Sequence, residues 1–306
     1  MPAVSINHII KTYGTKKQKV TALDDISFNV EKGELFGIIG PDGAGKTSLF
    51  RILTTLLLAD SGTATVDGFD VVKDFASIRN RVGYMPGRFS LYQDLTVEEN
   101  LEFFATIFKT SIEKNYELIK DIYVQIEPFK NRRAGKLSGG MKQKLALSCA
   151  LIHSPTVLFL DEPTTGVDAV SRKEFWEMLR GLKAKGITIL VSTPYMDEAG
   201  LCDRVALLQK GKILSINTPS GVVGEFKQPL MAVKSANMLP LLRELQQLDI
   251  VTDAYPFGEY HHAVMKNEEA AEELKKRIND TTNKDLVIKR TEANIEDCFI
   301  SLMKNV

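Results

Sequence analysis

Leu35-Phe36-Gly37-Ile38-Ile39-Gly40-Pro41-Asp42-Gly43-Ala44-Gly45-Lys46-Thr47 decides how the rest of this chain is read. Its first five residues are an unbroken apolar run, the pattern of a short strand buried on both faces. The next eight spell G-x-x-x-x-G-K-[ST]. Residues 47–58 then have helical character. Strand, glycine loop and helix in that order are the setting in which such a loop cradles phosphates. Gly40, Gly43 and Gly45 let the backbone bend until its N–H groups converge on an anion. The helix start adds its positive dipole end. Lys46 is the candidate partner of β- and γ-phosphates, and the Thr47 hydroxyl a candidate Mg²⁺ ligand. Pro41, Asp42, Ala44 and Ser48 complete the expected nucleotide contact.

A second stretch supplies what the first lacks. Val157-Leu158-Phe159-Leu160 reads as another buried strand, and it ends in Asp161-Glu162. That places two carboxylates at a strand's carboxyl end, near the phosphate loop. Asp161 is a candidate Mg²⁺ ligand, directly or through water. Glu162 is the candidate general base for an attacking water. Just upstream, Leu137-Ser138-Gly139-Gly140-Met141 opens an expected helix over 139–152. Alone, Ser138-Gly139-Gly140 reads as a loop and helix cap.

Working outward, residues 4–9 and 26–30 alternate apolar and polar side chains as strands do, with a polar turn over 14–19 between them. Residues 95–130 are mostly helix formers, with Thr96 and Glu99 spaced as a capping box. Residues 171–185 read as an amphipathic helix and 187–192 as a core strand. Residues 205–208 and 213–214 form a hairpin around Lys210-Gly211-Lys212. Alternating strands and helices imply a parallel sheet with helices on its faces. The texture changes near 224–229. Beyond it, strands are expected at 231–233, 263–265 and 286–289, and helices at 239–248 and 268–277. The expected domains are therefore 1–225 and a small α+β domain at 226–306.

Composition narrows the function classes. Lys+Arg and Asp+Glu are both 39, so no global field attracts nucleic acid or anionic lipid. Cys149, Cys202 and Cys298 lack metal-ligand spacing and read as reduced thiols. The residues after Met1 do not read as a signal peptide, and no run of about 18 apolar residues predicts a membrane span. A membrane role is expected to come through a partner.

Taken together, the phosphate loop, Leu137 to Met141 and Asp161-Glu162 resemble the ATP-binding subunits of ABC transporters, from Val4 to about Glu225. The resemblance implies an α/β phosphate-loop NTPase cassette with a helical subdomain, followed by the small α+β domain. Leu137 to Met141 matches that family's signature motif, which more often ends in Gln than in Met141. It implies that Ser138 and the Gly139 and Gly140 amides cap the γ-phosphate of ATP held by an opposing cassette. Tyr13 matches the adenine-stacking aromatic, though a surface tyrosine in a turn reads the same way. Gly166-Val167-Asp168 matches the loop through which two cassettes communicate. Residues 85–100 match the region that lodges against the membrane subunit, with Phe89, Leu91, Tyr92 and Leu95 as a docking face; those apolar residues suit the core equally. The detailed spelling is most similar to ATPases of exporters with ABC-2-type membrane subunits, multidrug systems included. The tail Asn294-Ile295-Glu296-Asp297-Cys298-Phe299-Ile300 resembles such exporters' closing segment, or is a plain amphipathic helix.

Two positions depart from the family. Gly87, after Tyr84-Met85-Pro86, stands where Gln is usual, and Pro194, after Val191-Ser192-Thr193, stands where His is usual. Glycine has no side chain, and proline has neither a side-chain donor nor an N–H. His8, His153, His261 and His262 are not near them in sequence. The expected activity is therefore MgATP binding with slow hydrolysis at the chain's own site, while its signature completes a partner's site. That favours a heterodimer over a homodimer, seated on an integral membrane permease at the cytoplasmic face of the membrane. Two other readings stand beside this one. The first is a regulatory cassette without useful turnover. The second is a soluble cassette acting on ribosome or DNA, which the single cassette and neutral charge disfavour.

Overall fold

The computed structural model describes residues 1–15, 18–278 and 285–304, so Lys16 and Lys17 of the expected first turn lie outside the described residues. The chain divides into two compact units, Met1–Ser220 and Gly221–Val306. The first opens with β1 (Val4–Thr15) and β2 (Gln18–Val30); β3 (Leu35–Ile39) then leads into α1 (Lys46–Leu53), β4 (Ser61–Val66) and β5 (Phe69–Asp70). Next come α2 (Phe75–Arg79), β6 (Val82–Met85), α3 (Val97–Ile107), α4 (Ile112–Tyr123) and α5 (Gly139–Leu151). The unit closes with β7 (Val157–Asp161), α6 (Ala169–Ala184), β8 (Thr188–Thr193), β9 (Arg204–Gln209) and β10 (Lys212–Asn217).

Two sheets result. One is antiparallel in the order β2-β1-β4-β5, and the other runs β10-β9-β3-β8-β7-β6. In the second, β3 pairs in parallel with β8 and β9, and β7 in parallel with β6 and β8. All residues of β3, β7 and β8 are buried, as continuous apolar strands inside a parallel sheet should be. The hairpin β9–β10 adds the antiparallel edge. α1 contributes Leu49, Phe50, Ile52 and Leu53 to a core shared by both sheets. There Phe50 meets Phe159 edge-on at 5.6 Å and Phe28 stacks on Phe36 at 5.2 Å. A buried aromatic of this kind stabilises by roughly 3–5 kcal/mol relative to Ala, which fixes the helix that follows the phosphate loop.

The helices differ from the sequence expectation at their ends. α1 stops at Leu53 rather than running on to residue 58: Thr54 turns its hydroxyl back to the Phe50 carbonyl, and Thr55 has φ 63°. Residues 95–130 break into α3 and α4 because Lys109 takes φ 54° and Ser111 caps the next helix by accepting from the Lys114 N–H. The capping box at Thr96 and Glu99 forms in full.

The second unit contains α7 (Pro219–Glu225, beginning just before its boundary), β11 (Leu230–Lys234), α8 (Met238–Gln247), β12 (Val251–Phe257), β13 (Tyr260–Met265), α9 (Glu268–Arg277), β14 (Val287–Thr291) and α10 (Ile295–Met303). Its sheet order, β12-β13-β11-β14, is antiparallel throughout. From β11 to β14 this is a β-α-β-β-α-β split, the ferredoxin-like arrangement. α8 and α9 pack Leu241, Leu245, Ala270 and Leu274 against Met231, Val233, Ala263 and Met265. α10 is tied to the sheet differently: its buried Asp297 accepts from the Tyr255 hydroxyl at 2.8 Å and lies 2.6 Å from His262 Nδ1. Among the described residues, no helix is long and apolar enough to cross a membrane.

Candidate nucleotide site

The phosphate loop is built by exclusion. A Cβ on Gly40 would lie 2.1 Å from the Leu208 carbonyl oxygen, so only glycine lets β3 turn there against β9. Gly45 has φ 112°, and a Cβ on it would lie 2.3 Å from the Ala22 carbonyl oxygen. α1 then begins at Lys46 with no side chain capping its first turn, so the turn's N–H groups are donors for an anion. The Lys46 side chain is only 3% exposed. Its ammonium donates to the Gly40 carbonyl at 2.8 Å and the Pro41 carbonyl at 3.1 Å, and pairs with Glu162 Oε1 at 3.0 Å. Three acceptors satisfy three N–H bonds, which is what a buried cation requires.

Because β3, β8 and β7 are adjacent and parallel, their carboxyl ends share one edge, the position at which open α/β sheets bind ligands. Gly40 donates its N–H to the Thr193 carbonyl across that edge at 3.2 Å. Asp161 is 2% exposed and accepts a 2.6 Å hydrogen bond from the Ser192 hydroxyl on Oδ1. Glu162 takes φ 50°, a left-handed conformation that costs a non-glycine residue about 1–3 kcal/mol unless its surroundings hold it. Ser192 holds it: the Glu162 N–H meets the Ser192 carbonyl at 3.0 Å and its hydroxyl at 3.1 Å. Burial, helped by the Asp161 charge, pushes the neighbouring Tyr84 phenol up to about 12. Thr47 and Asp161 supply one hydroxyl and one carboxylate, hard oxygen donors that fit Mg²⁺ held mainly through phosphates and water. No group of three or more His, Cys, Asp or Glu side chains among the described residues would cage a metal by itself.

The other expected residues fall into two places. Tyr13 is exposed and its hydroxyl lies 3.0 Å from Ser48 Oγ, one residue after Thr47. The Lys11 ammonium sits 5.8 Å from the centre of its ring. Ser138, by contrast, caps α5 by accepting from the Met141 N–H at 3.3 Å. A Cβ on Gly140 would come within 2.7 Å of Ser171 Oγ, and one on Gly139 within 3.4 Å of the Gly166 carbonyl oxygen. Asp168 caps α6, accepting from the Val170 and Ser171 N–H groups at 3.1 and 3.0 Å. The Ser171 N–H is the main reason its carboxyl lies below the usual carboxylate value. Ser138-Gly139-Gly140 and Gly166-Val167-Asp168 thus form one neighbourhood. Among the described residues no hydrogen bond joins Ser138, Gly139 or Gly140 to the phosphate loop.

Both departures sit at the site. A Cβ on Gly87 would be 3.0 Å from the Asp161 carbonyl oxygen and 3.8 Å from Glu162 Cβ. Pro194 follows Thr193, whose carbonyl holds Gly40. The histidines are engaged elsewhere: His8 with Asp25, His153 with the Val82 carbonyl and the Phe108 ring, His261 with the Met238 carbonyl and His262 with Asp297. Of the expected docking residues, Leu91 is buried and Tyr92 is exposed, packed edge-on against the exposed Phe103 at 4.8 Å. Beside them lies a cleft of about 710 Å³ whose lining includes Arg51, Arg79, Leu91, Phe104, Ile107 and Phe108.

Sequence reasoning missed Ser192, which touches both acidic residues. A polar residue near the carboxyl end of an otherwise apolar parallel strand is the signal that points to it. It also missed Glu198, which hydrogen-bonds Thr164 and Thr193 and belongs to no motif.

Residues 23–165 match the profile of the ABC transporter family. The chain is 37% identical over 305 residues to the probable multidrug ABC transporter ATP-binding protein YbhF of Escherichia coli; the match covers 98% of this chain and 52% of YbhF, so the chain spans about half that relative's length. It is 36% identical over 269 residues to the doxorubicin resistance ATP-binding protein DrrA of Mycobacterium tuberculosis, covering 86% of this chain and 78% of DrrA. Among solved structures, it is similar to the dimeric post-hydrolysis state of the ATP-binding cassette MJ0796 bound to ADP and Pi. That likeness has a TM-score of 0.64 at 25% identity, and covers 70% of this chain and 98% of the other.

Proposed function

The chain belongs to the ABC transporter family as an ATP-binding cassette of exporter type, and from that premise we propose that it energises an ABC-2-type membrane permease, with its own ATP site turning over slowly. The observation that carries this reading is the coexistence, at one sheet edge, of a fully formed phosphate site and two positions without polar side chains. Lys46 lies 3.0 Å from Glu162, whereas Gly87 and Pro194 offer no polar side chain to a phosphate or a water. Lys46, the loop amides and the start of α1 bind the triphosphate, and Tyr13 beside Ser48 receives the adenine. Thr47 and Asp161 hold Mg²⁺, which when bound screens the phosphate charge. Glu162 accepts the proton of the water that attacks the γ-phosphate. Loss of a single preorganised donor to a transition-state anion costs about 10²–10³ in rate.

Ser138-Gly139-Gly140 with Asp168 faces a second cassette and completes that cassette's site. A heterodimer, in which the partner carries the usual Gln and His, is favoured over a homodimer. Arg51, Arg79 and the apolar wall around Phe104 and Ile107, with Tyr92 and Phe103 at the rim, receive a cytoplasmic segment of the permease. The chain is then a peripheral protein at the cytoplasmic face of the membrane. MgATP binding and steady-state hydrolysis by the full chain, with Glu162→Gln as the reference, test the reading. Tight binding with turnover that is slow yet measurably above Glu162→Gln supports it. Robust turnover abolished by Glu162→Gln means that other groups replace the two missing side chains and that the chain works as a homodimer.

A further inference from the structure

Glu198 is a charged side chain only 2% exposed, in the 3-10 turn Met196–Leu201 that follows β8. An isolated carboxylate in such a place would cost several kcal/mol, so its partners matter. Oε1 accepts from the Thr164 hydroxyl at 2.8 Å and Oε2 from the Thr193 hydroxyl at 2.5 Å. The Arg172 guanidinium on α6 stands 4.0 Å from Oε1 and lies over the Tyr195 ring at 5.0 Å. The Thr193 hydroxyl in turn accepts from the Tyr195 N–H at 3.1 Å.

These partners belong to three different functional segments. Thr164 lies two residues after Glu162 and two before Gly166. The Thr164 carbonyl accepts from Val167 N–H at 3.3 Å, and the Glu162 carbonyl from Thr165 N–H at 3.2 Å, so the segment 162–167 is a chain of tight turns. Thr193 directly precedes Pro194. Arg172 follows the Asp168 cap by one turn of α6 and donates its own N–H to the Asp168 carbonyl at 2.9 Å. The left-handed backbone of Glu162 is thus fixed from β8 twice, by Ser192 at its own N–H and, two residues on, by Thr193 through Glu198 and Thr164.

We propose that Glu198 is a positioning residue of the ATPase: by clamping Thr164 to Thr193 it holds Glu162 and the Gly166–Asp168 turn in place beside a strand end where Pro194 brings no polar side chain. The proposal rests on the reading of Glu162 as the base. It requires that loss of the clamp act on turnover more than on ATP binding, because Lys46 and the loop amides are not among the partners of Glu198.

The test measures Glu162-dependent turnover, defined as the rate of the full chain minus that of Glu162→Gln, together with KM for MgATP. Glu198→Ala is expected to lower that kcat by about 10²-fold, the scale of a misplacement near 1 Å, with KM changed less than about twofold. Glu198→Gln, which keeps one acceptor and offers a donor to the second hydroxyl, recovers most of the loss. A second pair guards against misfolding of the Ala variant: Thr164→Val lowers kcat and Thr164→Ser retains it. Glu198→Ala with kcat within about twofold of the parent, or a loss shared equally by kcat and KM with Gln no better than Ala, overturns the proposal. If the parent shows no Glu162-dependent turnover, the reading of Glu162 as base fails separately. Hydrogen exchange over residues 162–168 then decides: faster exchange in Glu198→Ala with MgATP binding intact upholds the clamp, and unchanged exchange overturns it.

Discussion

The starts of α1 and α5 both present backbone N–H groups, yet they are made in opposite ways. At α1 no side chain caps the helix, the lysine is buried, and Gly40 and Gly45 lie where a Cβ would run into backbone oxygens at 2.1 and 2.3 Å. At α5 Ser138 caps the helix itself, Ser138 and Gly139 are exposed, and the closest atom to a Cβ on Gly139 is 3.4 Å away. The first end is closed by its own chain. The second has its Met141 N–H capped by its own serine and still faces outward, as a surface used by another molecule does. This contrast supports the proposed assignment of the chain's own nucleotide to the start of α1.

The largest effect that could break this contrast is steric. Gly45→Ala should weaken MgATP binding by more than about 10²-fold and destabilise the cassette by about 2–4 kcal/mol, through strain at a left-handed position with no room beside it. Gly139→Ala should leave the chain's own ATP affinity within about twofold. Nucleotide titration and thermal melts of both variants check the pair; equal losses would end the distinction. Next in size is restoration of a donor. Pro194→His should raise turnover by up to about 10²-fold, whereas Gly87→Gln alone should give less, because its Cβ must sit 3.0 Å from the Asp161 carbonyl oxygen. An unchanged rate in Pro194→His would place the limit elsewhere.

Smaller effects sharpen the other half. Ser138→Ala should cost about 1 kcal/mol in stability as a lost cap, leave ATP binding by its own chain unchanged, and lower the turnover of a mixed dimer about 10-fold. Own-site binding that falls with it would contradict a role in trans. Asp168→Ala should lower the melting temperature at neutral pH through loss of the α6 cap. The folded state lowers the Asp168 carboxyl below its unfolded value of 3.8, so its contribution is complete above that value and is lost as pH falls through the folded one. The gap in melting temperature between parent and variant should therefore close in acid.

The sequence made the central sheet legible because β3, β7 and β8 are each built on a short apolar run, and the phosphate loop was legible because its glycines and lysine have fixed spacing. It hid β12, which carries Pro256 and Asp253 and, among the described residues, pairs only with β13; an edge strand tolerates proline that a central one would not. It hid β4 as well, whose Ser61-Gly62-Thr63 start has no apolar rhythm. At the site, motifs named Lys46, Asp161 and Glu162, but not what holds them. Ser192 and Glu198 act through distances across 30 or more residues, Asp161 to Ser192 and Thr164 to Glu198, and no local pattern encodes such contacts. The docking stretch was ambiguous for another reason: Leu91 and Tyr92 are neighbours in sequence but face opposite ways.

One ammonium, on Lys46, stands between two suitors of like sign. Glu162 holds it now, and on the proposed roles a γ-phosphate would need it. A weakly charged anion has little to offer in exchange for a carboxylate already at 3.0 Å, whereas a triphosphate brings several charges and a ring of amide donors to receive them. The same swap frees the Glu162 carboxylate to accept a proton. On those proposed roles, arrival of the substrate is what arms the base, and the interlock keeps the Glu162 carboxylate occupied until there is something for it to act on.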